Sequence, residues 1–218
     1  KKGMVAMKGS YHGKSFGALS LTFNPKYRKA FAPLVEKVSF ASFGDMDSLR
    51  SAIDEDTALI ILEPIQGESG IIVAPDGFLQ EVRNLCNEKG ILLIFDEIQA
   101  GLGRTGRLWA GEHWNTTPDI LCLAKGIAGG VPMGATLVRP DILAAISKGE
   151  HSSTFGGNPI SCAAGIAALT SITEDGLIEN SKKMGEIFRE GLEKLKEKHT
   201  MIRDIRGKGL MIGIEMKF

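Results

Sequence analysis

Short apolar runs alternate with segments of helical periodicity along most of this chain. Several of the runs are apolar at successive positions, as strands are when helices cover both faces of a sheet. They predict six strands, over 4–9, 37–42, 58–63, 91–96, 120–124 and 134–139. Strand–helix–strand units join parallel strands, so the order predicts an α/β protein with a largely parallel sheet.

The helical patterns divide the chain into two parts. Apolar residues from Phe78 to Cys86 predict a helix that starts near Pro75 and ends at Gly90. Beyond Pro159, a helix rich in small residues is followed by a break, a long amphipathic helix and two short strands. We therefore expect a large domain over 1–172 and the beginning of a smaller C-terminal domain over 173–218.

Composition excludes several classes of function. Lys and Arg together number 26, as do Asp and Glu, so no basic excess indicates nucleic-acid binding. No apolar run is long enough to span a membrane. The 3 cysteines lie among apolar residues and lack metal-ligand spacing. We interpret them as small buried residues of a protein in a reducing compartment. The 4 histidines also lack such spacing, so no metal site is expected, and His12 is interpreted as a loop residue.

The sequence GLGRTG, from Gly101 to Gly106, fits the G-x-G-x-x-G pattern of dinucleotide-binding proteins. That pattern requires its first glycine in the turn that ends a strand and its last at the start of a helix. Here the five residues DEIQA separate the apolar run ILLIF from Gly101. No pattern of apolar residues at helical spacing follows Gly106. A nicotinamide-dependent oxidoreductase therefore remains only an alternative.

Asp96 and Lys125 carry a stronger signal. Each follows an apolar run, and one strand–helix–strand step separates them, so both are expected at the carboxyl edge of the sheet where ligands bind. The pair could be a structural ion pair. It also suits pyridoxal 5′-phosphate (PLP), which needs a lysine amine for a Schiff base and a carboxylate beside its pyridine nitrogen.

Several motifs together resemble the class III PLP-dependent aminotransferases. They are YHGKSFGALSLT, ILEPIQGESG, FDEIQAGLGRTG, PDILCLAKGIAGGVPMGA, HSSTFGGNP and IRGKGLMIGIE, which cover nearly the whole chain in order. Within that class the sequence is most similar to the acetylornithine and aminoadipate-semialdehyde types. The resemblance implies PLP fold type I, with a mixed, mostly parallel seven-stranded sheet in which 134–139 is antiparallel. It also implies a homodimer.

The resemblance assigns the cofactor contacts. Lys125 would be the Schiff-base lysine and the proton shuttle, and Asp96 the partner of the pyridine nitrogen. The run that continues through Glu97 and Ile98 to Gln99 would bind the cofactor as well, with Gln99 on the phenolic oxygen. Tyr11 corresponds to the aromatic residue that stacks on the ring.

Four further positions are implied to contact substrate or the neighbouring subunit. Glu68 would pair with an arginine beyond this sequence, and Ser153 would contact substrate. Thr154 would reach the phosphate of the neighbour's cofactor. Lys14 departs from the family, where arginine is usual, and a lysine lacks the two-pronged grip of arginine on a carboxylate. A further glutamate, Glu63, matches a family position of uncertain role.

The implied reaction moves a terminal amine, as in N-acetylornithine, to 2-oxoglutarate, giving a semialdehyde and glutamate. The alternatives are a GABA-type ω-aminotransferase, a glutamate-1-semialdehyde-type aminomutase and a non-catalytic fragment. The family's phosphate-binding glycine loop would precede this sequence. We therefore expect an internal fragment of a longer enzyme, inactive by itself.

Overall fold

A computed structural model describes residues 1–217. Its strands are β1 (Gly3–Met7), β2 (Val38–Ala41), β3 (Thr57–Leu62), β4 (Ile65–Gln66), β5 (Ile72–Val73), β6 (Leu92–Asp96), β7 (Ile120–Leu123), β8 (Ala135–Val138), β9 (Ile202–Lys208) and β10 (Met211–Met216). Its α-helices are α1 (Phe16–Leu21), α2 (Pro25–Arg28), α3 (Met46–Ala52), α4 (Phe78–Lys89), α5 (Pro140–Leu143), α6 (Pro159–Glu174) and α7 (Leu177–Lys198). Short 3-10 helices cover Lys29–Phe31, Ala110–Trp114 and Lys125–Ala128.

The main sheet has the strand order β2-β1-β3-β6-β7-β8. The first five strands in that order are parallel, and β8 runs antiparallel to β7. The predicted α/β class, the six strand positions and the antiparallel strand are thereby confirmed. Of the seven strands expected for this sheet, residues 1–217 supply six.

Helix α4 shows how local sequence sets the connections. It begins at Phe78 rather than near Pro75, because Pro75 accepts a hydrogen bond from the Phe78 amide and so forms a turn first. It ends at Gly90, whose φ of 59° lies in the left-handed region that favours glycine. Its inward residues Leu79, Val82 and Cys86 join the core between helix and sheet.

The C-terminal elements pack closely on the glycine-rich loop Gly101–Gly106. The backbone oxygen of Arg104 accepts from the Leu210 amide at 3.0 Å and from the Ser181 hydroxyl at 3.0 Å. Strands β9 and β10 form an antiparallel hairpin that also meets the loop after β4, where Arg206 Nε donates to Gly70 O at 2.8 Å. The loop is therefore a packing surface for α7 and the hairpin.

Membrane-crossing segments were also sought among the helices of residues 1–217. None of them combines the length and the apolar character that crossing a bilayer would require.

Candidate active site

Two neighbouring strands bring Asp96 and Lys125 to one edge of the sheet. Asp96 ends β6 and is paired in register with Cys122 of β7, and Lys125 follows two residues after β7 ends. Lys125 has a φ of 48°, which non-glycine residues seldom adopt. Strained backbone of this kind clusters at functional sites. The predicted juxtaposition is present, with the Lys125 side chain exposed and the Asp96 carboxylate buried.

The Asp96 carboxylate is paired with a histidine from the loop after β1. Nδ1 of His12 lies 2.8 Å from Oδ2 of Asp96, and the Ile98 amide donates to Oδ1 at 3.1 Å. Both side chains are buried, so each would be costly without its partner. His12 lies in a loop, as expected, but it also holds the carboxylate of the candidate site, a contact that the sequence did not indicate.

The second imidazole nitrogen of His12 has no partner among residues 1–217, although it is fully buried. A carboxylate can only accept, so Nδ1 is the donor in the contact with Asp96. A buried polar atom without a partner is uncommon in folded proteins, which sets Nε2 apart from the other polar atoms around Asp96.

A cleft of about 660 Å³ lies beside Lys125, between the glycine-rich loop, α7 and the β9–β10 hairpin. Ile98 and Gln99 line it together with Lys125. The Gln99 amide lies against Gly67, where any Cβ would overlap it. The loop after β4 is thus shaped to admit Gln99, and three of the predicted site residues share one cleft.

Glu97 makes contacts that the sequence did not indicate. It directly follows the last residue of β6, and its amide donates to Cys122 O at 3.0 Å. Its carboxylate accepts from the amides of Ala110 and Gly111, at 2.6 and 2.8 Å, and it lines a separate cavity. Burial raises its pKa to about 7. Glu97 thus holds the start of a 3-10 helix, and its expected part in cofactor binding stays a prediction.

Tyr11 is linked to the loop after β4 through the carboxylate of Glu63. Its amide donates to Glu63 at 3.1 Å, and the other carboxylate oxygen of Glu63 accepts from the Gly67 amide at 3.0 Å. Burial raises the pKa of the Glu63 carboxyl above its ordinary value. Glu63 therefore joins the loop that carries Tyr11 to the loop that shapes the Gln99 cleft, a structural role that the sequence left open.

A small cavity of about 270 Å³ adjoins Tyr11, and Glu68 and Tyr27 also line it. The rings of Tyr11 and Tyr27 meet edge to face with centroids 5.7 Å apart. The Lys14 ammonium lies 5.0 Å from the centroid of Tyr27. Tyr11 and Glu68 thus line one cavity together with Tyr27, which no motif had indicated, and Lys14 contacts Tyr27.

Ser153 and Thr154 lie apart from these residues. Both are exposed in the loop between α5 and α6, and neither lines the Lys125 cleft within residues 1–217. The expected contact of Thr154 is with a neighbouring subunit, so its role in this site stays a prediction.

Comparison with known proteins places this geometry in context. The family model described as aminotransferase class III matches residues 1–218. The chain is 46% identical over 212 residues to the acetylornithine aminotransferase of Methanopyrus kandleri, which covers 97% of the chain and 54% of that protein. It is 44% identical over 218 residues to the [LysW]-aminoadipate semialdehyde/glutamate semialdehyde transaminase of Sulfurisphaera tokodaii, covering 100% of the chain and 56% of that protein.

A solved structure shows the same fold. It is the ornithine aminotransferase of Toxoplasma gondii, described with partial occupancy of PLP at its active site. The match has a TM-score of 0.95 at 37% identity and covers 99% of this chain and 51% of that one. The chain spans about half the length of the curated relatives it matches.

Proposed function

The chain belongs to the class III aminotransferases, and from that premise we propose that the full protein transfers a terminal amino group from an N-acetylornithine-like donor to 2-oxoglutarate. The products are a semialdehyde and glutamate. The observation that carries the proposal is that a buried Asp96 and Lys125 lie at the same edge of the sheet. The Asp96 carboxylate is hydrogen-bonded to His12 there. Pyridoxal chemistry requires that combination of groups.

The residues present fit PLP. Asp96 would face the pyridine nitrogen, Gln99 the phenolic oxygen, and Tyr11 the ring face. When bound, PLP draws electrons away from the carbon that carries the substrate nitrogen. His12 keeps the Asp96 carboxylate oriented, and a negative charge beside the pyridine nitrogen favours the protonated ring.

Lys125 has two tasks in this proposal. Its amine would hold the cofactor, and in its free form the amine would carry a proton to and from the reacting carbon. The exposed side chain and its position beside the open cleft allow both tasks.

Substrate recognition falls to the group around Tyr11. The Lys14 ammonium would attract the substrate carboxylate, and Ser153 would supply a further contact. Glu68 would pair with an arginine elsewhere in the protein, and this pair would control when that arginine is free to bind a substrate carboxylate. We propose a homodimer in which Thr154 reaches the neighbour's cofactor, a large domain over 1–172, a small domain that begins at 173, and a cytoplasmic setting.

A second candidate shares the same site. Lys14 stands where the resemblance leads one to expect arginine, and a lysine grips a carboxylate less directionally. Amine donors that lack an α-carboxylate, such as GABA-type ω-amines, are therefore the second candidate substrates. A glutamate-1-semialdehyde-type aminomutase would instead turn over without a keto-acid co-substrate.

An amine-donor panel with the full-length protein and 2-oxoglutarate tests the proposal. We expect glutamate to form fastest with N-acetylornithine or a similar N-acylated diamino acid. Turnover with GABA alone, or turnover without 2-oxoglutarate, would contradict it.

A further inference from the structure

A second cavity, of about 380 Å³, lies between the glycine-rich loop, the first half of α7 and the β9–β10 hairpin. We call it the cationic cavity. It shares Ile212 with the Lys125 cleft, but neither Lys125 nor Asp96 lines it. Its charged lining residues are Arg107, Lys182, Glu186, Arg189, Arg206 and Lys208. Five positive side chains therefore face one carboxylate, in a chain whose charges balance overall.

One of these positive charges is already neutralised. Arg206 donates to Asp204 at 3.0 Å and to Glu215 at 2.7 Å. The other four cations form no ion pair within residues 1–217. An excess of unpaired positive charge in a concave site attracts anions, because field lines are focused there.

Two of the unpaired cations are held in place without being neutralised. The Arg189 guanidinium donates to the backbone oxygens of Gly207 and Ile205, at 3.2 and 3.4 Å. The Lys208 ammonium lies 5.2 Å from the centroid of the Trp114 ring. These contacts orient the two groups and leave both charges available to a ligand.

His113 also lines the cavity, and its pKa responds to the neighbouring positive charges. His113 Nε2 lies 3.1 Å from Thr105 O, and its pKa is lowered by burial and further by the charges of Lys208 and Arg107. The cavity is thus a region where positive charge is already unfavourable.

Close backbone packing fixes the walls of the cavity. A Cβ at Gly185 of α7 would overlap the backbone of Gly209 in the hairpin turn, and a Cβ at Gly209 would overlap the backbone of Thr105. Since glycine alone permits these approaches, the loop, the helix and the hairpin meet at fixed distances. The backbone segments that carry the cations are therefore fixed relative to one another before any ligand arrives, which lowers the cost of binding.

We propose that the cationic cavity binds a small polyanion, a phosphate group or a di- or tricarboxylate, at a site separate from the Lys125 cleft. Lys182 supplies charge from α7 and Arg107 from the residue after the glycine-rich loop, and Arg189 and Lys208 supply oriented donors. A cavity of this size suits a small molecule.

Isothermal titration calorimetry on the full-length, PLP-loaded protein tests the proposal, with inorganic phosphate and citrate as separate probes at constant ionic strength. Loading with PLP keeps either probe from being counted at a cofactor phosphate site. We expect saturable binding of at least one probe, and the tighter one identifies the ligand as phosphate-like or carboxylate-like. We expect Lys182→Glu to weaken that binding about tenfold or more, the effect of losing a hydrogen bond to a charged group.

Lys183→Glu is the matched control. Lys183 is exposed on the next position of the same helix but does not line the cavity, so the variant makes the same change in net charge. Arg107→Glu, in a different segment of the cavity lining, should repeat the effect of Lys182→Glu. No saturable binding of either probe, or equal weakening by Lys182→Glu and Lys183→Glu, would overturn the proposal. Heats of binding do not depend on turnover, so this result is independent of whether the protein is an aminotransferase.

Discussion

Nδ1 of His12 lies 2.8 Å from Oδ2 of Asp96, and both side chains are buried at the carboxyl edge of the sheet. The pair joins the loop after β1 to the end of β6. It gives the carboxylate a fixed orientation, which a cofactor bound beside Lys125 would require.

His12→Ala should weaken cofactor binding. Removing a hydrogen bond to a charged group costs on the order of 1.5–3 kcal/mol, which corresponds to about tenfold or more in the dissociation constant of PLP. Absorbance titration of the full-length apoprotein measures that constant. His199→Ala, at an exposed histidine after α7, is the control and should leave it unchanged. Equal affinities for the His12 variant and the unaltered protein would refute the positioning role.

Gly67→Ala should displace Gln99. The added methyl group would overlap the Gln99 amide, so the side chain must leave its place beside the cleft. We expect weaker PLP binding and an altered absorbance spectrum of the bound cofactor. Gly191→Ala tests the same exchange where nothing lies within 4 Å of the new Cβ, in the exposed part of α7. That control should keep normal binding and gain up to about 1 kcal/mol in helix stability.

The buried Glu97 carboxyl should make the free energy of unfolding decrease as pH rises. Burial raises its pKa from 4.5 to about 7, so the folded state holds a proton that the unfolded state releases. The contribution is present below pH 4.5 and is lost between there and about pH 7. Glu97→Gln cannot ionise, and we expect the dependence of Tm on pH to flatten over this window. The exposed Glu197→Gln should retain the slope, and an unchanged slope in Glu97→Gln would show that the carboxyl does not titrate there.

Tyr27 should orient Lys14 through its ring. The ammonium lies 5.0 Å from the ring centroid, and such a contact contributes about 0.5–1 kcal/mol at exposed sites. Tyr27→Leu should therefore raise KM for the amine donor about two- to fivefold with little change in kcat. Tyr27→Phe keeps a ring and should largely preserve KM. If both variants raise KM equally, the phenol hydroxyl rather than the ring carries the effect.

Sequence patterns predicted the sheet well, because each strand is a local apolar run that ends at a polar residue. The same logic placed Asp96 and Lys125 together, since parallel strands end at one edge. No helix starts at Gly106 of GLGRTG, as the sequence indicated. The structure adds that its glycines admit other segments closely, Ile178 of α7 at Gly103 and Lys182 at Gly106.

The residues that were missed depend on contacts distant in sequence. His12 and Asp96 are 84 positions apart, and no spacing rule relates a loop after β1 to the end of β6. Tyr27 belongs to a single-turn helix, α2, whose position against Tyr11 only the folded chain reveals. Glu97 was assigned to the cofactor with its neighbours, and the structure adds that its carboxylate accepts from the amides of Ala110 and Gly111. These contacts span 13 and 14 positions, so no local pattern indicated them.

Borohydride reduction of the full-length protein loaded with PLP, followed by peptide mass mapping, tests the central claim most directly. The account predicts one stable cofactor adduct, on Lys125, and its loss in Lys125→Ala. An adduct that persists in Lys125→Ala, or that maps to another lysine in the unaltered protein, would contradict it.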